Sequence, residues 1–233
     1  MNAEKLAFVV HVGDITSGTG PCTDEWFEAR KAQFGRIRHP FILLPGDNDW
    51  TDCHRTGFDP LERLAKWREL FCFFPRDFPV ERQKGKYCEN VRWISGNVVF
   101  VGLNVQGSNN NTDRNPGEMG ERMEAVARWL NEAAALARGR DGLVVLMQAN
   151  PFLKPHLGGV NGFDGILEHL RKLGAALPGK VLLVNGDTHT YRDDEPLPGL
   201  RRVNVFGSPD VRWIKGSIES GDSKLFRIEP QAP

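Results

Sequence analysis

Three aspartates of the 233-residue chain stand where acidic chemistry can be concentrated. Asp14, Asp47 and Asp187 each follow an apolar run and a glycine, in Gly13-Asp14, Gly46-Asp47-Asn48-Asp49 and Gly186-Asp187-Thr188-His189. A fourth apolar run ends in Gln148-Ala149-Asn150-Pro151. A lone Gly-Asp after a strand is usually a turn or a cap. Four such tips are harder to dismiss, because ligands of open α/β sheets bind beyond the carboxyl ends of the strands. Carboxylates brought together there repel unless something positive lies between them, and a divalent cation is the economical answer.

The elements that must position these residues are legible in the periodicity. Leu6–Val12, Phe41–Leu44, Leu143–Met147 and Val181–Val184 read as buried strands. Tyr87–Ile94 and Val98–Val105 flank Ser95-Gly96-Asn97 as an antiparallel hairpin. Thr23 caps a helix expected to run to Arg38, and Asp59-Pro60-Leu61-Glu62 starts one running to Phe73. Glu118–Arg138 is the clearest amphipathic helix, and Phe163–Leu177 is a further one. Short strands follow at Val203–Phe206, Val211–Ile214 and Leu225–Ile228, and the Asn-rich stretch Gly107–Gly117 reads as a long loop. No repeat or linker interrupts the chain, so residues 1–233 are expected to form one α/β domain with a mixed sheet.

Composition excludes several classes. Lys and Arg number 30 against 30 Asp and Glu, so no global field attracts nucleic acid or an acidic membrane. No apolar run approaches the ~18–20 residues of a membrane span. No G-x-G-x-x-G follows the first strand, which argues against a dinucleotide site. The start of the chain does not read as a signal peptide, which makes the cytoplasm the default expectation. Cys22, Cys53, Cys72 and Cys88 form no CxxC pair and read as buried hydrophobes. A Cys22–Cys53 bridge would clip two of the polar loops together and imply an oxidising compartment, with export if the chain is N-terminally truncated.

GDI at Gly13–Ile15, PGDND at Pro45–Asp49 and GDTH at Gly186–His189, with WTDCHR and LERLAKWREL between, resemble the calcineurin-like metallophosphoesterases, in a bacterial branch with altered motifs. The resemblance implies a four-layer α/β/β/α sandwich with mixed sheets and two divalent ions at the strand tips. Asp14 would bridge the ions; Asp47, Asp187 and His189 would ligate them, and Gln148 (or Asn150) would stand in a histidine ligand's place. Asn48 occupies the position of the histidine that protonates the leaving group and also falls within the expected ligand set; His54 is a substitute acid. So oxygen-rich a set favours harder ions such as Mg, Mn or Ca, and the two ions are expected to be Mn, Mg or Fe, with Zn or Ca as further options. The family's first motif is absent before Asp14, so either the chain starts late relative to its relatives or the usual first strand is lacking, which would leave an open slot beside its neighbours.

The resemblance implies a metal-dependent phosphatase or phosphodiesterase acting on a small phosphorylated substrate. The alternative is a catalytically silent relative that binds metal, a phosphorylated ligand or a partner. Neither nucleic acid nor membrane is an expected partner, and the sequence does not set an oligomeric state. Among the remaining polar residues, His11 reads as core, His39 as a helix end, His156 as loop and His169 as helix surface. Asp52 could orient the ligands. Arg192 could reach a phosphate, but pairing with Asp193 or Asp194 is the favoured reading. The run Asn109–Asn111 reads as turn.

Overall fold

A computed structural model describes residues 1–74, 78–153, 159–221 and 224–233; His156 lies outside them. Strands β1 (Val9–His11) and β2 (Phe41–Leu43) pair in parallel, with α1 (Asp24–Phe34) between them in sequence. Short 3-10 turns at Asp47–Asp49 and Thr51–Thr56 lead to α2 (Pro60–Phe71). Next come β3 (Glu81–Arg82), β4 (Val91–Ser95), β5 (Val98–Gly102) and a four-residue turn, α3 (Gly107–Asn110). Helix α4 (Pro116–Ala137), β6 (Gly142–Met147), α5 (Asp164–Ala176) and β7 (Val181–Asn185) follow. The remainder is β8 (Arg192–Leu197), β9 (Leu200–Asn204), β10 (Trp213–Ile218) and β11 (Phe226–Gln231).

Among the described residues, seven strands form one mixed sheet in the order β3-β4-β5-β6-β7-β9-β8. Its central strands β5, β6, β7 and β9 are parallel, so their carboxyl ends share one edge. Both faces of this sheet are covered, which is why the strands are continuously apolar rather than alternating. Val99, Val101, Leu143, Val145 and Leu183 pack with Trp129 and Leu130 of α4 and Ile166 and Leu170 of α5. Phe100, Val144, Leu146 and Leu182 face the other way, onto Ile42 of β2 and Leu44 just after it and onto Ile214 and Ile228 of β10 and β11. The opposite side of β2, Phe41 and Leu43, packs on Phe27 and Phe34 of α1 and Trp67 and Phe71 of α2. Helices, small sheets, large sheet, helices: the expected four layers are present.

Strand β1 pairs with β2 alone among the described residues, and β10 with β11 alone, although both pairs pack on the same face of the large sheet. Every residue of β1 is only half-buried despite its apolar sequence. Lys215 of β10 reaches Glu4, ahead of β1, in a 2.8 Å ion pair.

Some boundaries differ from expectation. Helix α1 stops at Phe34, where the chain passes into turns closed by Arg36 N–H to the Gln33 carbonyl and Ile37 N–H to the Phe34 carbonyl, and α4 begins at Pro116, capped by the Asn115 side chain, which accepts from the Glu118 N–H. Strand β8 has the sequence RDDEPL, whose first four residues are charged and which carries no apolar run. It is an edge strand, tied to β9 by Arg201–Asp193 and Arg202–Asp194 ion pairs. Arg192 has no ion pair with either aspartate, which corrects the favoured reading of that residue. The hydrophobe reading of the cysteines is corrected too: Cys22 is bonded to Cys53, and Cys72 to Cys88.

The Cys72–Cys88 bond ties the end of α2 to the chain entering β4, across a sequence separation of 16. Closing a loop of that size limits the unfolded chain by about 3 kcal/mol. Replacing both cysteines by alanine should therefore lower the unfolding free energy in urea by about 2–3 kcal/mol. A midpoint equal to that of the wild type would show that the cross-link contributes nothing.

Candidate metal centre

The two sheets deliver their tips to one point. After β1, Gly13 (φ 117°) and Asp14 (φ 64°) turn left-handed. A Cβ on Gly13 would lie 2.7 Å from the Gly46 nitrogen, so the loops after β1 and β2 are in backbone contact. Asp49 holds them there. Its buried carboxylate accepts from the N–H groups of Gly46 (2.8 Å), Ile15 (2.7 Å) and Asp14 (3.1 Å). Burial pushes its carboxyl up to about 7 even against those three donors. The Cys22–Cys53 bond is a second, covalent link between the same two loops.

Asp47 is buried, with Oδ1 accepting from the Asn48 N–H (2.9 Å) and Oδ2 from the Ser108 hydroxyl (3.0 Å). Asp187, left-handed at φ 71°, follows β7 and accepts from the Asn150 N–H at 3.3 Å. The Gln148 amide nitrogen lies 3.0 Å from Asp14 Oδ2, 3.0 Å from Asp47 Oδ1 and 3.4 Å from Asp187 Oδ1. Its oxygen accepts from the Gly107 N–H at 2.6 Å, which fixes the nitrogen towards the acids. That corrects the expectation for Gln148. An amide nitrogen donates to carboxylates and does not ligate a cation. Asn150 is equally committed, its oxygen to Arg202 and to the Phe152 N–H, its nitrogen to Thr188.

One amide with two N–H groups does not neutralise three carboxylates. Asp14 Oδ1 is buried with no hydrogen-bond partner. Burial raises the Asp14 carboxyl well above its usual range, and repulsion from Asp47, Asp49 and Asp187 adds to the rise. Burial, then the charge of Asp47, pushes Asp187 up to about 6. Glycines leave the space these oxygens occupy: a Cβ on Gly46 would strike Asp14 Oδ1, and one on Gly107 would strike Asp47 Oδ2 and Asp187 Oδ1. Converging, under-neutralised oxygens, one of them orphaned, fit a hard divalent cation.

His189 stands at the rim, exposed and left-handed at φ 56°. Its Nδ1 lies 2.8 Å from the Ser208 carbonyl, so that nitrogen carries the proton and Nε2 keeps its lone pair, as a metal ligand requires. The ring rests on Gly207. The Asn48 side chain points towards Gly18 and the Arg55 guanidinium and makes no hydrogen bond among the described residues. His54 places Nδ1 2.7 Å from the Thr51 carbonyl, and no hydrogen bond joins it to the carboxylates among the described residues. His11 stays in the core, against the Phe34 ring and accepting from the Gly13 N–H.

Sequence patterns gave no sign of Ser108. It opens a run of four left-handed residues, Ser108 to Asn111, with φ between 47° and 65°. Its hydroxyl also lies 2.9 Å from both oxygens of Asp52, which pairs with Arg55 at 2.8 Å. Each left-handed residue costs about 1–2 kcal/mol, least for Asn, which explains the asparagines. Buried Arg122 holds the turn by donating to Asn110 Oδ1 (2.8 Å) and the Asn110 carbonyl (3.0 Å).

The raised Asp187 carboxyl fixes a pH signature. Its usual value is 3.8, so the folded chain binds more protons than the unfolded one between about 4 and 6, and its contribution to stability falls as pH rises through that window. In chelator-treated protein, Asp187→Asn should be about as stable as wild type at pH 4 and about 1–3 kcal/mol more stable at pH 7.5. Denaturation at both pH values checks this; a difference independent of pH would contradict the electrostatic assignment.

The model of the calcineurin-like phosphoesterase family matches residues 2–191. Among solved structures, PhoD aligns with a TM-score of 0.56 at 15% identity, over 88% of this chain and 52% of the PhoD chain. A dimetal phosphatase from Danio rerio aligns with a TM-score of 0.49 at 12% identity, over 88% of this chain and 74% of that one. This chain thus spans about half the length of the PhoD chain it matches. No curated protein sequence matches it. No helix among the described residues is long and apolar enough to cross a membrane. With the family model covering most of its length, the chain belongs to the calcineurin-like phosphoesterases.

Proposed function

We propose that the protein is a metal-dependent phosphoester hydrolase whose reaction centre is the Asp14–Asp47–Asp187 cluster. The observation that carries this reading is the buried, under-neutralised charge, with Asp14 Oδ1 unpartnered. Asp14, Asp47, Asp187 and His189 Nε2 would hold the ion, of which Mn²⁺ and Mg²⁺ best suit a mainly oxygen donor set. Three carboxylates and one imidazole suffice for one ion; a pair requires Asp14 to bridge. When bound, a divalent ion supplies polarisation of a phosphoryl oxygen and activation of water.

The chain's own groups do the rest. The Asn48 amide, free of hydrogen bonds among the described residues, would donate to a phosphoryl oxygen. Asn48 has no proton to give a departing alkoxide, and His54 is turned to the Thr51 carbonyl. The reading therefore favours leaving groups that depart without protonation. Two disulfides support an oxidising compartment, and the substrate would be a small phosphorylated molecule. A second reading has one observation in its favour. The Gln148 amide nitrogen already offsets part of the charge of the three acids, which lets the cluster persist in a catalytically silent relative that binds metal, a phosphorylated ligand or a partner.

With Mn²⁺, wild-type protein should hydrolyse p-nitrophenyl phosphate or its bis ester, and Asp14→Ala should lose at least ~100-fold in kcat. Without a general acid, phenyl phosphate should react ~10²–10⁴-fold more slowly than p-nitrophenyl phosphate. Equal turnover by wild type and Asp14→Ala would remove the cluster from the chemistry. Calorimetric Mn²⁺ binding without turnover would select the non-catalytic reading.

A further inference from the structure

A cavity of about 150 Å³ flanks the cluster, lined by Asn150, Phe152, Thr188, Thr190, Arg192 and Arg202 among others. Asn150 joins the two places, its N–H donating to Asp187 Oδ2 while its side chain forms part of the cavity wall. The buried Arg202 guanidinium is fully committed, to Asp194 through Nε and Nη2 and to Asn150 through Nη1, and it lies over the Phe152 ring at 5.0 Å. Asp193 is taken by Arg201. Arg192 thus keeps an exposed guanidinium with no hydrogen bond or ion pair among the described residues, at the mouth of a cavity whose other cation is neutralised. Strand alternation accounts for the direction: Tyr191 packs on the Phe206 ring between the sheets, and Arg192 turns towards Phe152 on the other face.

An uncompensated guanidinium beside a phosphoryl-processing site selects for negative charge, because a planar fork of donors matches the oxygens of phosphate or carboxylate. We infer that this cavity is an anion subsite and that Arg192 binds a second anionic group, phosphate or carboxylate, of a substrate whose first phosphate lies at the carboxylate cluster. The inference rests on the hydrolase reading for the first phosphate, and it makes Arg192 a specificity residue. Thr188 and Thr190 are held by Asn204 and by the Thr188 carbonyl, so they shape the wall without carrying charge.

Binding tests this independently of turnover. Calorimetry with Mn²⁺ present would compare propane-1,3-diol bisphosphate with propyl phosphate, and 3-phosphoglycerate with glycerol 3-phosphate. The wild type should prefer the doubly anionic member of at least one pair by about 10–100-fold, the value of one charge-assisted contact. The pair that shows it identifies phosphate or carboxylate as the group bound. In Arg192→Ala that preference should fall below about threefold, and Arg192→Lys, which keeps the charge but not the fork, should fall between alanine and wild type. A preference that survives in Arg192→Ala, or that the wild type lacks in both pairs, overturns the subsite. Loss of p-nitrophenyl phosphate turnover in the wild type, with the Arg192-dependent preference intact, would instead overturn the hydrolase reading alone.

Discussion

Like charge held out of water at one point is the constraint on which this structure turns. Two unit charges about 4 Å apart repel by about 4 kcal/mol at a protein-like dielectric, and here three carboxylates share one amide donor. No chain gathers such groups without forcing. The forcing is visible in the backbone: Asp14, Asp187 and His189 are all left-handed, and two glycines leave room where any side chain would collide with the acids. Such strain persists only where the surroundings over-determine it.

What over-determines it is the pair of parallel arrangements behind the tips. Strands β1 and β2 on one side, and β5, β6 and β7 on the other, run with their carboxyl ends towards the same place. The residues of β2, β5, β6 and β7 are buried in three apolar clusters, against which β1 is half-buried. Asp49 and the Cys22–Cys53 bond then fix the first loop to the second. Arg122 fixes the left-handed turn that brings Ser108 against Asp47. The site is therefore assembled by contacts that are not themselves reactive.

Much of this was legible in the sequence, and the limits have physical causes. Continuous apolar runs ending in Gly-Asp identified both the strands and the acids at their tips, since burial on two faces and a tight exit turn each leave a local mark. Strand β8 left none, because an edge strand stapled by ion pairs to arginines on β9 looks like a polar loop. The same pairing explains Arg192. Neighbouring residues of a strand face opposite ways, and the partners of Asp193 and Asp194 lie on another strand. Ser108 was hidden for a different reason: a left-handed turn of asparagines is indistinguishable by composition from an ordinary loop. Asp49 stood in plain view within Gly46–Asp49, yet three backbone donors converging from two loops are a tertiary fact.

Gln148 is where the competing readings meet, and its hydrogen bonds allow an argument about which prevails. Its orientation is set by the bond from the Gly107 N–H to its oxygen and by those its nitrogen donates to the acids. The neutral bond contributes about 1 kcal/mol and each bond to a carboxylate about 1.5–3 kcal/mol. The amide offsets only part of the negative charge, since Asp14 and Asp187 still have raised carboxyls despite it. A neutral group that relieves repulsion incompletely is poorly matched to being the sole compensation of three acids. It is well matched to a site that must stay intact when no cation is bound and yield when one is. On that balance the residual charge of the acids favours the proposed cation over neutralisation by the amide alone.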